Sequence, residues 1–258
     1  MSRIGKWLIF VSAVLFVLLA GPVANIVAGS TGRVEWWEAS REPAGLAPAP
    51  AEHPEPLVQV YAARAFSWRG ALAVHTWIAT KPANAANYTV YEVIGWRARR
   101  GHSALAIHQE APDRLWYGNQ PEILAELRGT GVDDVIRRLD RAARAYPYRD
   151  LYKVWPGPNS NTFTAWIGRA VPELRLDLPP TAIGKDWLDS GRGEVFAAAP
   201  SNTGYQLSLF GLFGILAGLE EGLEINVASL TIGLDPLDLA LKLPGFGRIG
   251  GLDSIGSR

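Results

Sequence analysis

Trp7 to Gly29 forms an unbroken run without a charged side chain, preceded by Arg3 and Lys6. At about 1.5 Å of rise per helical residue, a run of this length reaches across a hydrocarbon core of roughly 30 Å. The pattern predicts a transmembrane anchor over residues 1–29; a cleaved leader ending at Ala28 is the alternative reading. From Leu57 to Gln109 the pattern becomes strand-like. LVQVYAARAF, ALAVHTWIAT, YTVYEVIGWRA and HSALAIHQE are each rich in β-branched or aromatic residues, and Arg99, Arg100 and Gly101 read as a tight turn between the last two. In the second stretch Leu72, Val74 and Ile78 share one face while His75 and Trp77 share the other. Residues 132–145 switch to helical spacing, with an apolar stripe through Val132, Val135, Ile136, Leu139 and Ala143. Asp133 and Asp134 sit in the first turn, where the helix dipole favours anions, and pair at i,i+4 with Arg137 and Arg138. That arginine run therefore reads as a solvated helix face rather than a phosphate site. A loop then leads into a second helix, TFTAWIGRAV, which stops before Pro172.

The last third is apolar and rich in glycine. Gly204 to Leu219 is uncharged but broken by glycines, which argues against a second span. Leu237, Leu239, Leu241 and Leu243 alternate with Asp238, Ala240 and Lys242, the pattern of a half-buried strand, and the Asp235-Pro236 turn joins it as a hairpin to Leu223–Ile232. The expected organisation is an anchor (1–29), a proline-rich linker (30–56), an α+β domain (57–200) and a glycine-rich β extension (201–258). Pro43, Pro48, Pro50, Pro54 and Pro56 make the linker a stiff, extended spacer. Trp36 and Trp37 stand where aromatic rings rest at a membrane surface or cap a folded domain.

Composition narrows the function classes. Lys plus Arg and Asp plus Glu are equal at 25 each, so no global field favours nucleic acid. Cysteine is absent, which removes disulfides, thiolate metal sites and cysteine nucleophiles. Positive charge stays on the cytoplasmic side, so Arg3 and Lys6 imply a single-pass protein of the inner membrane with its C-terminal body outside the cytoplasm.

Candidate chemistry gathers at PGPNSNTFTAW. Ser160 stands at the start of a helix, where unpaired N–H groups and the dipole stabilise negative charge. A hydroxyl there needs a base, and His75, held on a strand beside Trp77, is the best placed of four histidines. His53 lies in the linker. His102 and His108 share a strand face but stand roughly 20 Å apart, too far to bind one metal together. Plain structural roles compete: His75 as a core or rim histidine, and Asn159, Ser160 and Asn161 as helix caps. Lys185 and Asp186 read as a surface ion pair, and Glu220, Glu221 and Glu224 as a solvated edge rather than a cation site. No metal and no cofactor is expected.

The order of His75 on an early strand, an amphipathic helix, a YPY loop and NSNTF opening a helix resembles the circularly permuted papain-like enzymes related to NlpC-type peptidases and lecithin:retinol acyltransferase. The resemblance implies a papain-like antiparallel sheet with packed helices, Ser160 in place of the family's cysteine and His75 as base; the orienting third group would be Asn, His or a carboxylate, and His102 is the candidate because its strand is expected to neighbour that of His75. Asn159, Asn161, Trp77 and Trp155 would line the cleft. The motifs PGPNSNTF, PPTAIGKDWL and GLEINVASLTIGLDP are also similar to a bacterial membrane-protein family known only as a domain of unknown function. With serine for cysteine the nucleophile loses its easy ionisation. The expectation is thus a membrane-anchored, non-catalytic module that binds peptidoglycan or an envelope lipid or protein, and no nucleic acid; the alternative is a serine hydrolase or acyltransferase acting on an envelope amide or ester.

Overall fold

The computed structural model describes residues 2–29, 35–189 and 191–251. Residues 30–34 of the expected linker and 252–258 of the expected β extension lie outside the described residues. The N-terminal run is a 25-residue helix, α1 (Arg3–Val27), capped by the Ser2 hydroxyl. Among the described residues it is the one helix long and apolar enough to cross a membrane.

The strand-patterned region forms an antiparallel sheet of β1 (Leu57–Arg64), β2 (Val74–Lys81), β3 (Thr89–Val93), β4 (Leu105–Gln109) and β5 (Glu122–Arg128), in spatial order β4-β3-β2-β1-β5. Arg99–Gly101 do not make a hairpin turn: a short helix, α2 (Gly95–Arg99), fills the β3–β4 connection. β5 carries a weaker signal, because EILAELR lacks strict alternation and its register against β1 shifts at Val60/Tyr61.

Strand alternation gives this sheet two different faces. Val58, Val60, Val74 and Ile78 pack against Leu139 of α3 (Val132–Arg144) and Phe163 and Ile167 of α4 (Ser160–Ala170), forming the main core. Leu57, Tyr61, Trp77 and Val90 point the other way, into a smaller core with Ala47 and Trp116. The proline-rich stretch covers this second face rather than standing clear as a spacer. The Asp113 carboxylate accepts the Leu46 and Ala47 N–H groups, and the Tyr88 hydroxyl donates to the Pro48 carbonyl at 2.7 Å.

The C-terminal third is an antiparallel meander of β6 (Phe196–Ala198), β7 (Gly204–Leu209), β8 (Phe213–Gly218), β9 (Gly222–Val227), β10 (Leu230–Asp235), β11 (Ala240–Leu243) and β12 (Gly247–Gly250), each paired with the next. Gly204–Leu219 is thus a hairpin, and Leu223–Ile232 folds as two strands, β9 and the start of β10. Of the alternating leucines only Leu241 and Leu243 lie in a strand, β11, while Leu237 and Leu239 fall in the turn before it, and the sides are inverted: Lys242 is fully buried while Leu241 is 41% exposed.

The inversion has a local cause. Lys242 Nζ donates to Glu224 Oε1 at 2.9 Å and Asp177 Oδ1 at 2.6 Å, while Lys185 Nζ reaches Glu224 and, at 3.2 Å, Asp186. Gln206 joins Asp186 to Arg169, whose Nη2 donates to Gln206 Oε1 at 2.6 Å. Lys185 and Asp186 are therefore a buried pair, not a surface one. Glu221 and Glu224 are not a solvated edge: Glu221 accepts from the Ser201 N–H at 2.9 Å and hydroxyl at 2.7 Å, and Glu220 pairs with Arg175. Paired charges satisfy one another across the meander's inner face, so its apolar side chains face outward.

Candidate functional site

The NSNTF run is a helix start held by its own side chains. Asn159 Oδ1 accepts the Asn161 and Thr162 N–H groups, and the Thr162 hydroxyl accepts the Asn159 N–H, a closed capping box. The remaining donors tie the helix to its surroundings. Asn159 Nδ2 donates to the Val154 and Ile183 carbonyls, and Asn161 Nδ2 to those of Val74 and Ile183. Gly184, at φ +100°, leaves no room for a Cβ, which would lie 2.3 Å from the Asn159 amide nitrogen. Asn159→Ala is expected to lower stability by about 2 kcal/mol, from the lost cap and from the carbonyls left without a donor. Thermal unfolding of the detergent-solubilised full chain, followed by circular dichroism, checks this.

Ser160 is buried in this start, where its carbonyl accepts from the Thr76 hydroxyl at 3.4 Å and the Thr164 hydroxyl at 3.2 Å. Since Thr76 faces α4, its neighbour His75 faces the opposite side of β2, and the sheet lies between the imidazole and Ser160. The structure does not bring the two together. His102 is not on a strand: it lies exposed in the turn after α2, its N–H donated to the Arg97 carbonyl at 3.0 Å. Trp77 is buried on the His75 face, whereas Trp155 is exposed and donates to the Ala228 carbonyl of the meander at 3.3 Å. These tryptophans line no common groove.

What His75 does meet is a buried carboxylate. Its Nε2 lies 3.3 Å from Glu92 Oε2, and the other oxygen, Oε1, is 2.9 Å from His108 Nε2 and accepts from Arg114 Nη2 at 2.7 Å. The register explains the meeting. Ala79 pairs with Val90 and Val90 with His108, so His75, Glu92 and His108 share the face that carries Trp77. The loop after β4 lays Trp116 over this face, stacked on the His75 ring with centroids 3.6 Å apart. The Arg114 guanidinium lies beside this stack, 5.6 Å from the centroids of both Trp77 and Trp116.

The charges follow from burial and pairing. Burial alone would raise the Glu92 carboxyl, but hydrogen bonds from His108 and His75 and the charge of Arg114 outweigh it and hold Glu92 well below the usual carboxylate range. Burial pushes the His75 imidazole down, against the pull of Glu92. The arrangement is an ionised carboxylate and a guanidinium under an aromatic lid.

This cluster is the floor of a cleft of about 550 Å³ wrapped around the edge strand β4. Its walls carry Arg41, Arg97, Arg144 and Arg149 beside Arg114, against two carboxylates, Glu92 and Glu110. Both carboxylates already face Arg114, whose Nε lies 3.2 Å from Glu110 Oε2. Arg144 pairs with Asp140, and the Arg41 guanidinium lies 4.5 Å from the Tyr117 ring centroid. Among the described residues Arg41 and Arg97 form no ion pair, so the cleft carries excess positive charge. Glu92, His108 and Glu110 have ligand atoms within 4.8 Å of one another, close enough for a metal ion. A guanidinium already bridges the two carboxylates, however, and a second cation would meet its charge. The donor set suits an anion better than a metal.

Glu92, Arg114 and Trp116 carry this site together with His108, and no motif along the chain marks the first three. The signal was a carboxylate in the middle of TVYEV, an apolar strand where a charge requires buried partners. Those partners come from a neighbouring strand and a loop, so spacing along the chain does not reveal them.

The fold and site define a class: an α+β protein with one membrane-length helix, two antiparallel sheets and a basic cleft at a sheet edge. The chain belongs to the family described as "Protein of unknown function (DUF3750)", which matches residues 55–187. The matched region holds the first sheet, α3, α4 and most of the cleft; Arg41 and the meander lie outside it. No curated protein and no solved structure matches the chain.

Proposed function

We propose that this protein is a membrane-anchored binding module that holds an anionic group of an envelope ligand, a carboxylate or a phosphate, in the cleft at β4, without chemical turnover. The observation that carries the reading is the set of arginines around one cleft whose carboxylates are both engaged by Arg114. Guanidinium groups suit this task, because their donors match carboxylate and phosphate oxygens in pairs. Ser103 also lines the cleft, but its hydroxyl is donated to the Arg149 carbonyl at 2.8 Å, and Ser160 lies beyond the sheet. A serine hydrolase pairing Ser160 with His75 has no support in this geometry. The charges of Arg3 and Lys6 before α1 favour a body outside the cytoplasm, where the stem-peptide carboxylates of peptidoglycan and lipid phosphates are the available anions.

Trp96 and Trp116 line the cleft and report on occupancy by fluorescence. The detergent-solubilised full chain is titrated with inorganic phosphate and, separately, with a soluble muropeptide bearing free carboxylates, which distinguishes the two sources. One probe is expected to give a saturable change, and the Arg41→Ala/Arg97→Ala double variant to bind about tenfold more weakly or worse, as the loss of charge-assisted bonds requires. Ser160→Ala is expected to bind as the wild type does. Absence of saturation with both probes, or loss of binding in Ser160→Ala alone, would sink the proposal.

A further inference from the structure

The meander is amphipathic in an unusual sense. Its charged strand residues point inward, and its outward positions are apolar. Leu207, Ile215, Ile225 and Ile232 pair across four strands into one continuous row, and Leu234, Leu241 and Ile249 continue a second row to the edge. Apart from Ile232, these side chains are between 41 and 57% exposed. At strand spacings of about 4.8 Å and about 3.3 Å per residue, the face covers on the order of 500 Å². Soluble monomers rarely leave so large an apolar patch without a use.

The anchor shows what covers it. Asn25 of α1 donates its side-chain N–H groups to the Ala71 carbonyl at 3.1 Å and the Gly245 carbonyl at 2.8 Å. Gly21, one turn earlier, packs so closely on Pro244 that a Cβ would lie 2.1 Å from its carbonyl oxygen. If the hydrocarbon core begins at Trp7, roughly 30 Å at about 1.5 Å per residue ends near Val27, and Gly21 lies about 9 Å inside that boundary. The loop between β11 and β12, with Phe246 43% exposed, therefore enters the outer part of the leaflet beside α1. The sheet attached to that loop is thereby brought next to the bilayer.

We propose that the outward face of the seven-stranded meander rests on the lipid bilayer, its apolar side chains dipping into the leaflet at which α1 ends. The inner strands satisfy their backbone groups by pairing, so the face presents hydrocarbon without unpaired peptide groups. The charge network of Lys242, Glu224 and Lys185 lies on the opposite side, away from lipid. This inference rests on the meander and α1 and is independent of the cleft at β4.

The chain has no cysteine, so single cysteines can be placed at will. Ile215→Cys, Ile225→Cys and Leu207→Cys on the face, and Asp150→Cys on an exposed loop with 73% of its side chain free, are labelled with an environment-sensitive fluorophore. Each full-length variant is reconstituted into phosphatidylcholine vesicles containing a spin-labelled lipid, or into plain vesicles with iodide on both sides. Circular dichroism verifies folding, and the three face positions guard against failure of any one. Labels on the face are expected to be quenched several-fold more by the lipid probe than the Asp150 label, and several-fold less by iodide. Equal access of iodide to face and loop would overturn the proposal. So would exclusion of both quenchers together with cross-linking between Ile215→Cys chains, which would assign the face to a second copy.

Discussion

Glu224→Ala is expected to lower the stability of the full chain by about 3–5 kcal/mol, the loss typical when one partner of a buried ionic cluster is removed. Glu224 is the shared anion of two buried lysines, Lys185 and Lys242. Burial by itself would raise the Glu224 carboxyl and lower both ammonium groups, yet the lysines hold Glu224 below its ordinary value and their partners hold both lysines above theirs. Removing the carboxylate leaves the desolvation of two cations with less to offset it. The paired replacement Glu224→Leu/Lys242→Met is expected to recover part of the loss, because one of the two cations goes with its partner while Lys185 keeps Asp186 and Asp177 keeps Arg248. Thermal unfolding in detergent compares the wild type with both variants. A Glu224→Ala protein as stable as the wild type would show that the network is not what turns the meander's polar side inward.

The second large effect belongs to Glu92. Glu92→Ala removes the buried partner of the Arg114 guanidinium, 4% exposed, and leaves it only the half-exposed Glu110, so about 3 kcal/mol is expected to be lost at neutral pH. The same carboxylate governs the acid limb of stability. His75, held below its ordinary 6.5, binds protons more readily in the unfolded chain, so stability falls as pH drops below about 6.5 and on through the lowered folded value. Glu92, held below its ordinary 4.5, contributes stability that is complete above about 4.5 and is lost as pH falls through the folded value. The two effects have one sign, so the wild type weakens progressively from about pH 6.5 downward. In Glu92→Ala the lower part of this decline is expected to flatten, because the group that must take up the proton is absent. Unfolding midpoints measured between about pH 8 and about pH 2 give the slopes directly. An unchanged slope below about 4.5 in the variant would assign the acid limb to another carboxylate.

These predictions lie at places that sequence reading approached without reaching. His75 was legible as a strand residue on the face of Trp77, because period-two alternation depends on local backbone geometry alone. Its partner was not legible. Ser160 was attractive because it opens a helix, yet Thr76, one position from His75, is the residue that touches α4. One step along a strand reverses the face, so two groups expected to meet are separated by a sheet. His108 was set aside for its distance from His102, and its actual relation is to Glu92 on the neighbouring strand, fixed by the Val90–His108 pairing.

Neighbours along the chain fix the membrane-length helix, the amphipathic α3, the capped start of α4, most strands of the first sheet and the alternation of the leucine-rich strand. The tertiary structure decided what depends on pairing across the chain. It set the register that gathers His75, Glu92 and His108, the loop that brings Arg114 and Trp116 over them, and the seating of the meander on Asp177, Lys185 and Asp186. The physical reason is that alternation shows a strand has two unlike faces without saying which one is buried. Apolar area ordinarily decides that, but here the matched charges of Lys185, Glu224 and Lys242 occupy the inner face and the leucines and isoleucines are left outside.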